Sequence, residues 1–383
     1  MAFLFGWLSM LVTDPGLTAM LAVGLADYVA HLIPLSGWEF QGVAVAAIVV
    51  LAVVNMVGSS IGSGVLRALA GLKLGLLAFL VAWGFGFGRG DWTNLTPFWA
   101  QRTGSDPLLQ ALAGGLIMAF ISFAGWWDAS KIAGEVRDPR RTMPRALVLG
   151  VSIVTIVYIA VSVVFLYLVA PDQIATDQDK AAFAALAGRA LFGRTGEVVF
   201  SAIVIASVAG SLAAVLMASP RVYYAMARDG LFFSGFAAVD PRRGTPARAI
   251  AIQATLATVL TLTGSFEQIL NYFMVPTLAF LAMTLVGVFV LHHRSRSRSP
   301  AEPALVVPGY PVTVLLALVP ILMVIVLQTL RDPQRAATGL AVVVLGVPVS
   351  MLVLASRQAA GEDAPPPPTP GEPVSPSTMI TNP

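Results

Sequence analysis

Cysteine is absent from this 383-residue sequence. Its absence excludes structural disulfides, thiolate metal sites, cysteine nucleophiles and any partner subunit attached through a disulfide. Histidine is scarce as well, with three residues, two of which, His292 and His293, stand in a basic segment. No metal site and no cofactor are therefore expected. No HExxH or GxxxxGK[ST] motif is present either, so the sequence indicates neither a metalloprotease nor an ATP-driven pump, and an enzyme is not expected.

Charged residues are also scarce in this sequence. Charged residues make up 11% of the chain, whereas hydrophobic residues make up 57%. A soluble core of this size does not need so much apolar surface, so the composition predicts an all-α polytopic protein in the lipid bilayer. The formal net charge of +3 is spread over the loops and does not indicate a nucleic-acid partner.

Ten apolar stretches predict ten transmembrane helices in one domain, residues 1–356. Their approximate bounds are 2–32, 41–59, 68–88, 108–136, 146–170, 197–219, 247–264, 267–291, 310–330 and 337–356. The segment SSIGSGV (59–65) is predicted to be a flexible loop, and the Pro-rich segment 357–383 a disordered cytoplasmic tail. Most of the 23 basic residues fall in alternate loops, so the positive-inside rule places those loops and both termini in the cytoplasm.

The fourth stretch contains an unusual interruption, FAGWWDASKIAGEVRDPRRTMP, from Phe123 to Pro144. Small Ala124 and Gly125 precede two tryptophans, and we predict an unwound hinge near 122–126 between two half-helices. Non-helical backbone at membrane depth is tolerated where it lines a cavity, and its freed carbonyls can bind a cation or an ammonium group. The alternative is a helix that ends at Gly125, with tryptophans at the membrane interface.

Charged residues follow the hinge at helical spacing. Positions i, i+3 and i+7 are occupied by Asp128, Lys131 and Glu135, which predicts one charged face on a second short helix. Asp138-Pro139 and Pro144 are predicted to end that helix, because proline removes a donor and biases the preceding residue away from helix.

This interrupted stretch resembles the sixth span of transporters of the amino acid–polyamine–organocation (APC) superfamily. Three more segments fit the same family in the right order: LRALAGLKLGLLAFLVAWGFGFGRGDWTNLTPFW, SPRVYYAMARDGLFFSGFAAVDPRRGTPARAI and VPGYPVTVLLALVP. The resemblance covers residues 1 to about 356 and is strongest to the L-type amino-acid transporter and exchanger branch. It implies a five-plus-five inverted-repeat fold whose third span coincides with Met1, so the first two spans are expected to be missing, through a mis-set start or a true truncation.

The resemblance also implies a substrate site. Backbone groups of the hinge would bind the substrate ammonium, and these residues are Ile121, Ser122, Phe123, Ala124 and Gly125. Phe123 and Trp126 would pack over the substrate side chain as a gate, with ordinary packing between helices as the alternative. The carboxylate half of the site would belong to the family's first span, which is one of the two spans expected to be missing.

Three further interpretations concern charged residues. By resemblance, Lys73 occupies the place that sodium takes in sodium-coupled relatives, with Ser207 or Ser211 as partner; the alternative is a lysine anchored at the membrane surface. Glu135 and Arg228 would close a cytoplasmic gate, or else belong to a solvated loop. Asp14 lies within the first apolar stretch and is either functional or part of a packed Asp14-Pro15 kink.

The leading prediction is secondary active transport of amino acids across the cell membrane by alternating access, as antiport or proton-linked symport. A polyamine or organic-cation carrier is the first alternative. Such a carrier needs acidic residues at its site, and Asp128 is the acidic residue near the predicted hinge. A truncated, non-transporting remnant is the second. The expected partners are a small-molecule substrate, an amino acid, and the lipid bilayer.

Overall fold

The computed structural model describes residues 2–57, 59–86, 90–96, 107–170, 183–238, 244–296 and 307–359. All regular structure in these residues is helical. The α-helices are α1 (Ala2–Leu8), α2 (Asp14–Leu32), α3 (Gly37–Val57), α4 (Ser59–Gly86), α5 (Leu108–Ser122), α6 (Pro139–Leu168), α7 (Phe183–Ala218), α8 (Pro220–Arg228), α9 (Ala247–Thr263), α10 (Phe266–Arg296), α11 (Val312–Arg331) and α12 (Pro333–Ala359).

Several helical segments are not α-helical. Ser9–Thr13 forms a π-helix that joins α1 to α2, so the chain is helical without interruption from Ala2 to Leu32. Short 3₁₀ helices occupy Trp92–Leu95, Trp126–Glu135 and Ser234–Ala237. Helix α7 is kinked at Phe192 and Gly193, whose backbone angles are not helical.

Seven helical runs among the described residues are long and apolar enough to cross a bilayer: Ala2–Leu32, Gly37–Val57, Arg141–Leu168, Ala187–Arg228, Gln268–Arg294, Val312–Arg331 and Pro333–Val353. Gly71–Gly86 and Ala247–Thr263 are shorter apolar helices. This architecture is that of a multi-pass, all-helical membrane protein, and the count of ten spans stays a prediction.

Helix α2 lies at the centre of the packing, against α3, α7, α9 and α10. Its faces carry small residues, and Ala19, Ala22 and Ala26 have no exposed surface. Small residues let neighbouring backbones approach closely, which substitutes for hydrophobic driving force between helices in lipid. Of the two α2 glycines with a near neighbour, Gly16 and Gly24, the approach is closer at Gly16, because an added Cβ would lie 2.7 Å from the ring of Phe273 in α10.

Three local predictions were wrong. Segment 59–65 is the start of α4 rather than a flexible loop, consistent with the frequent use of glycine in membrane helices. Pro144 lies inside α6 instead of ending a helix, and Pro139 occupies its first turn, where a missing N–H costs little. The segment after the hinge is 3₁₀, and its three residues per turn do not place positions seven apart on one face. Of the predicted disordered tail, 357–383, residues 357–359 are instead the end of α12, and the rest lies outside the described residues.

Candidate functional site

The fourth apolar stretch is broken inside the predicted hinge. Helix α5 ends at Ser122, a turn covers Phe123–Gly125, and the 3₁₀ helix starts at Trp126. Gly125 has φ +103° and ψ −10°, which is left-handed backbone that residues with a Cβ rarely adopt. The glycine therefore allows the chain to leave the α-helical path at this point.

A tyrosine from α6 caps the broken end. The hydroxyl of Tyr158 donates a hydrogen bond of 3.0 Å to the carbonyl oxygen of Ser122. The Phe123 ring meets the Tyr158 ring edge-on, with centroids 5.2 Å apart. One carbonyl that the sequence assigned to the substrate ammonium thus has a protein donor in this structure. Sequence reasoning missed Tyr158, since a single tyrosine in an apolar span gives no signal of its partner.

The 3₁₀ helix borders a cavity of about 570 Å³. The cavity is lined by Phe5, Leu8, Ser9, Thr13, Trp126, Trp127, Ser130, Met143, Leu147, Val222, Thr277, Phe280, Leu281, Thr284 and Leu285. Of the six residues predicted to contact the substrate, Trp126 lines it, whereas residues 121–125 do not. The hinge backbone, residues 121–125, is therefore followed directly in the chain by the 3₁₀ helix that lines the cavity.

Hydroxyl groups provide most of the polar character of this cavity. The Thr13 and Thr277 hydroxyls, both in the lining, are hydrogen-bonded to each other at 2.7 Å, which joins the π-helix to α10. Trp126 and Trp127 form an edge-to-face pair with centroids 5.6 Å apart, and 43% of Trp126 is exposed. An apolar cavity with few, well-placed polar groups is suited to a small amphipathic molecule.

The structure does not bring the other predicted site residues into this cavity. Lys73 is exposed on α4 and makes no hydrogen bond or ion pair with the described residues. Ser211 donates to the backbone carbonyl of Ser207, one turn earlier in α7, at 3.2 Å.

The predicted cytoplasmic gate is only half described. Arg228 ends α8, where its guanidinium lies 5.8 Å from the centre of the Tyr224 ring. The side chain of Glu135 lies outside the described residues, so the proposed ion pair stays a prediction.

Sequence comparisons provide independent information about this arrangement. The chain is 26% identical to the serine/threonine exchanger SteT of Bacillus subtilis (strain 168) over 349 residues, which cover 91% of this chain and 77% of the exchanger. It is 26% identical to the b(0,+)-type amino acid transporter 1 of Oryctolagus cuniculus over 296 residues, which cover 76% of this chain and 59% of the transporter.

The Asc-type amino acid transporter 1 of Mus musculus is 25% identical over 361 residues, which cover 91% of this chain and 65% of that protein. The match therefore covers less than two thirds of the length of either mammalian relative. The sequence profile of the amino acid permease family matches residues 1–356, which include the broken helix, the π-helix and every residue that lines the cavity. The chain belongs to the amino acid permease family.

Proposed function

We propose that this protein is a secondary active transporter of amino acids in the cell membrane, working by alternating access as an exchanger or a proton-linked symporter. The observation that carries the proposal is the broken helix at 123–125 beside a cavity of about 570 Å³, in a chain of the amino acid permease family. Broken helices at membrane depth supply backbone groups for polar substrates, as regular helices cannot.

In this proposal the hinge binds the substrate ammonium and the cavity receives its side chain. The carbonyl groups at the end of α5 carry the negative end of the helix dipole, which favours a bound cation. Trp126 covers the cavity and serves as the moving gate. The described lining is apolar apart from hydroxyl groups and the indole N–H groups of two tryptophans, which favours an amino acid with a neutral side chain.

The charges of the lining distinguish this proposal from its first alternative. A polyamine or organic-cation carrier requires carboxylates facing the site, and the described residues that line this cavity include none. The side chain of Asp128 lies outside the described residues. An amino acid is therefore the better substrate class. The second alternative is a remnant that does not transport, and uptake into proteoliposomes distinguishes it from a transporter.

Lys73 carries a separate part of the proposal. Its ammonium takes the place of a sodium ion, so that transport proceeds without sodium. The support for this role is the family resemblance, since Lys73 is exposed on α4 and makes no hydrogen bond to either Ser207 or Ser211 among the described residues. Both termini and the Glu135–Arg228 gate lie on the cytoplasmic side in this arrangement.

The test is uptake by the purified chain in proteoliposomes. Vesicles loaded with unlabelled neutral amino acids are diluted into radiolabelled serine, threonine, leucine or spermidine, with sodium or choline outside and with or without an inward proton gradient. We expect amino acid uptake that needs no sodium. Dependence on internal amino acid identifies exchange, and stimulation by the proton gradient identifies symport.

Other results would refute parts of the proposal. Uptake of spermidine alone would favour the organic-cation carrier, and absence of all uptake would favour the remnant. A strict sodium requirement would refute the role of Lys73. Trp126→Ala should reduce uptake more than membrane abundance, whereas Trp38→Ala, which removes a side chain that is 76% exposed and outside the cavity lining, should change neither.

A further inference from the structure

The π-helix Ser9–Thr13 is a second break in regular α-helix at the cavity. Its first and last residues, Ser9 and Thr13, both line the cavity, on the side contributed by α1 and α10. π-Helical segments inside α-helices are rare and frequently occur at functional sites. The residues that stabilise this segment therefore determine the shape of the cavity wall.

Proline explains why the α-helical pattern fails here. Pro15 has no N–H to donate to the carbonyl of Leu11, four residues earlier. The hydroxyl of Tyr272 in α10 donates to that carbonyl at 3.3 Å. The N–H of Asp14 donates to the carbonyl of Ser9, which is the five-residue spacing of a π-helix.

A side chain from α8 reaches the same segment. The hydroxyl of Tyr223 donates to a carboxyl oxygen of Asp14 and lies 3.3 Å from the carbonyl oxygen of Ser9. Tyr223 has no exposed surface and Asp14 is 1% exposed. A buried carboxyl group without hydrogen bonds is strongly unfavourable, so this contact ties the π-helix to α8.

The backbone carbonyl of Asp14 is also linked to α9, through Thr18. The hydroxyl of Thr18 donates to the Asp14 carbonyl at 2.6 Å, and the amide of Gln253 in α9 donates to that hydroxyl at 3.0 Å. Asp14 thus lies between polar contacts from α8 and, through Thr18, from α9.

We propose that Asp14 and Tyr223 are positioning residues for the transport cavity. They stabilise the π-helical register of Ser9–Thr13 and so keep the side chain of Ser9 at the cavity wall. This inference rests on the proposed function. Without the Tyr223 contact the segment is no longer held in this register, which changes the rotation of α1 relative to α2 and moves Ser9 away from the cavity.

The first test is a labelling rate that does not depend on transport. The chain has no cysteine, so Ser9→Cys creates a single thiol without further changes. Its reaction with a small methanethiosulfonate reagent is compared in the Ser9→Cys protein alone and combined with Tyr223→Phe or Tyr224→Phe. Tyr224 is the matched control, because it precedes the same loop on α8 and has no hydrogen bond to the π-helix among the described residues.

We expect Tyr223→Phe to lower the labelling rate of Cys at position 9 by about 5- to 160-fold, the range for removing one partner of a buried hydrogen bond. Tyr224→Phe should leave it unchanged. Tyr223→Phe should also raise the KM for amino acid uptake in the same range, with the protein still folded. Asp14→Asn removes the carboxylate and should act in the same direction.

An unchanged labelling rate in Tyr223→Phe would overturn the inference, and so would a changed rate with an unchanged KM. Failure of the unmutated chain to take up any amino acid would instead refute the proposed function. If Asp14→Asn does not fold, Tyr223→Phe decides the question, since it removes a single hydroxyl group.

Discussion

Gly125→Ala is the sharpest test of the hinge. The glycine has φ +103°, where an L-residue brings its Cβ against the neighbouring carbonyl. Left-handed backbone costs an L-residue about 1–2 kcal/mol. If the empty alanine variant relaxes out of this conformation and must return to it when substrate binds, it pays that cost on binding, which corresponds to an increase in KM of about 5- to 30-fold. Uptake into proteoliposomes at a series of amino acid concentrations measures it.

Gly115→Ala is the control for this substitution, because it lies in the same helix α5 and an added Cβ there meets nothing within 4 Å. That change should leave KM unchanged and stabilise the helix by about 0.5–1 kcal/mol. Asparagine tolerates left-handed backbone better than alanine, so the KM of Gly125→Asn should lie between those of Gly115→Ala and Gly125→Ala. Equal KM values for Gly125→Ala and Gly115→Ala would refute a role for the left-handed hinge.

Three further predictions concern packing and hydrogen bonds. Gly16→Ala places a Cβ 2.7 Å from the ring of Phe273 and should destabilise the protein by about 1–3 kcal/mol in thermal unfolding; an unchanged melting temperature would contradict this packing. Glu197→Gln removes a carboxylate that lies 2.9 Å from His31 Nε2 and 3.8 Å from Arg189 Nε, and it should cost about 1 kcal/mol or less, with a loss that shrinks at high salt; a salt-independent loss would argue against an ionic origin. Tyr158→Phe frees a hinge carbonyl and should lower KM for uptake, whereas a higher KM would mean that the tyrosine orients the hinge.

The hinge was predictable from sequence, and its partners were not. A glycine between a small residue and two tryptophans marks a weak point in an apolar helix, and the structure breaks the helix there. The tyrosine that caps the broken end lies 36 residues further along the chain. Nothing in a local pattern specifies such a contact, because it depends on how α6 packs against α5.

The π-helix shows a different limit of sequence reasoning. An Asp14-Pro15 pair inside an apolar run predicts a disturbance, but proline in a helix is compatible with a kink, a break or a π-helical turn. The outcome depends on donors from distant helices, and Tyr223 is 209 residues from Asp14. The start of α4 at Ser59 was missed for a related reason, since glycine and serine indicate a loop in water but are compatible with helix in a membrane protein.

The two irregular segments both border one cavity. The 3₁₀ helix contributes Trp126, and the π-helix contributes Ser9 and Thr13. At both places a tyrosine hydroxyl supplies a hydrogen bond that the α-helix gives up, through Tyr158 at the hinge and Tyr272 at the π-helix. Each such bond contributes about 0.5–1.5 kcal/mol, far less than a whole helical turn would cost to open in lipid. Under the proposed mechanism, the cavity walls can therefore rearrange by exchanging single side-chain hydrogen bonds while the long helices around them stay intact.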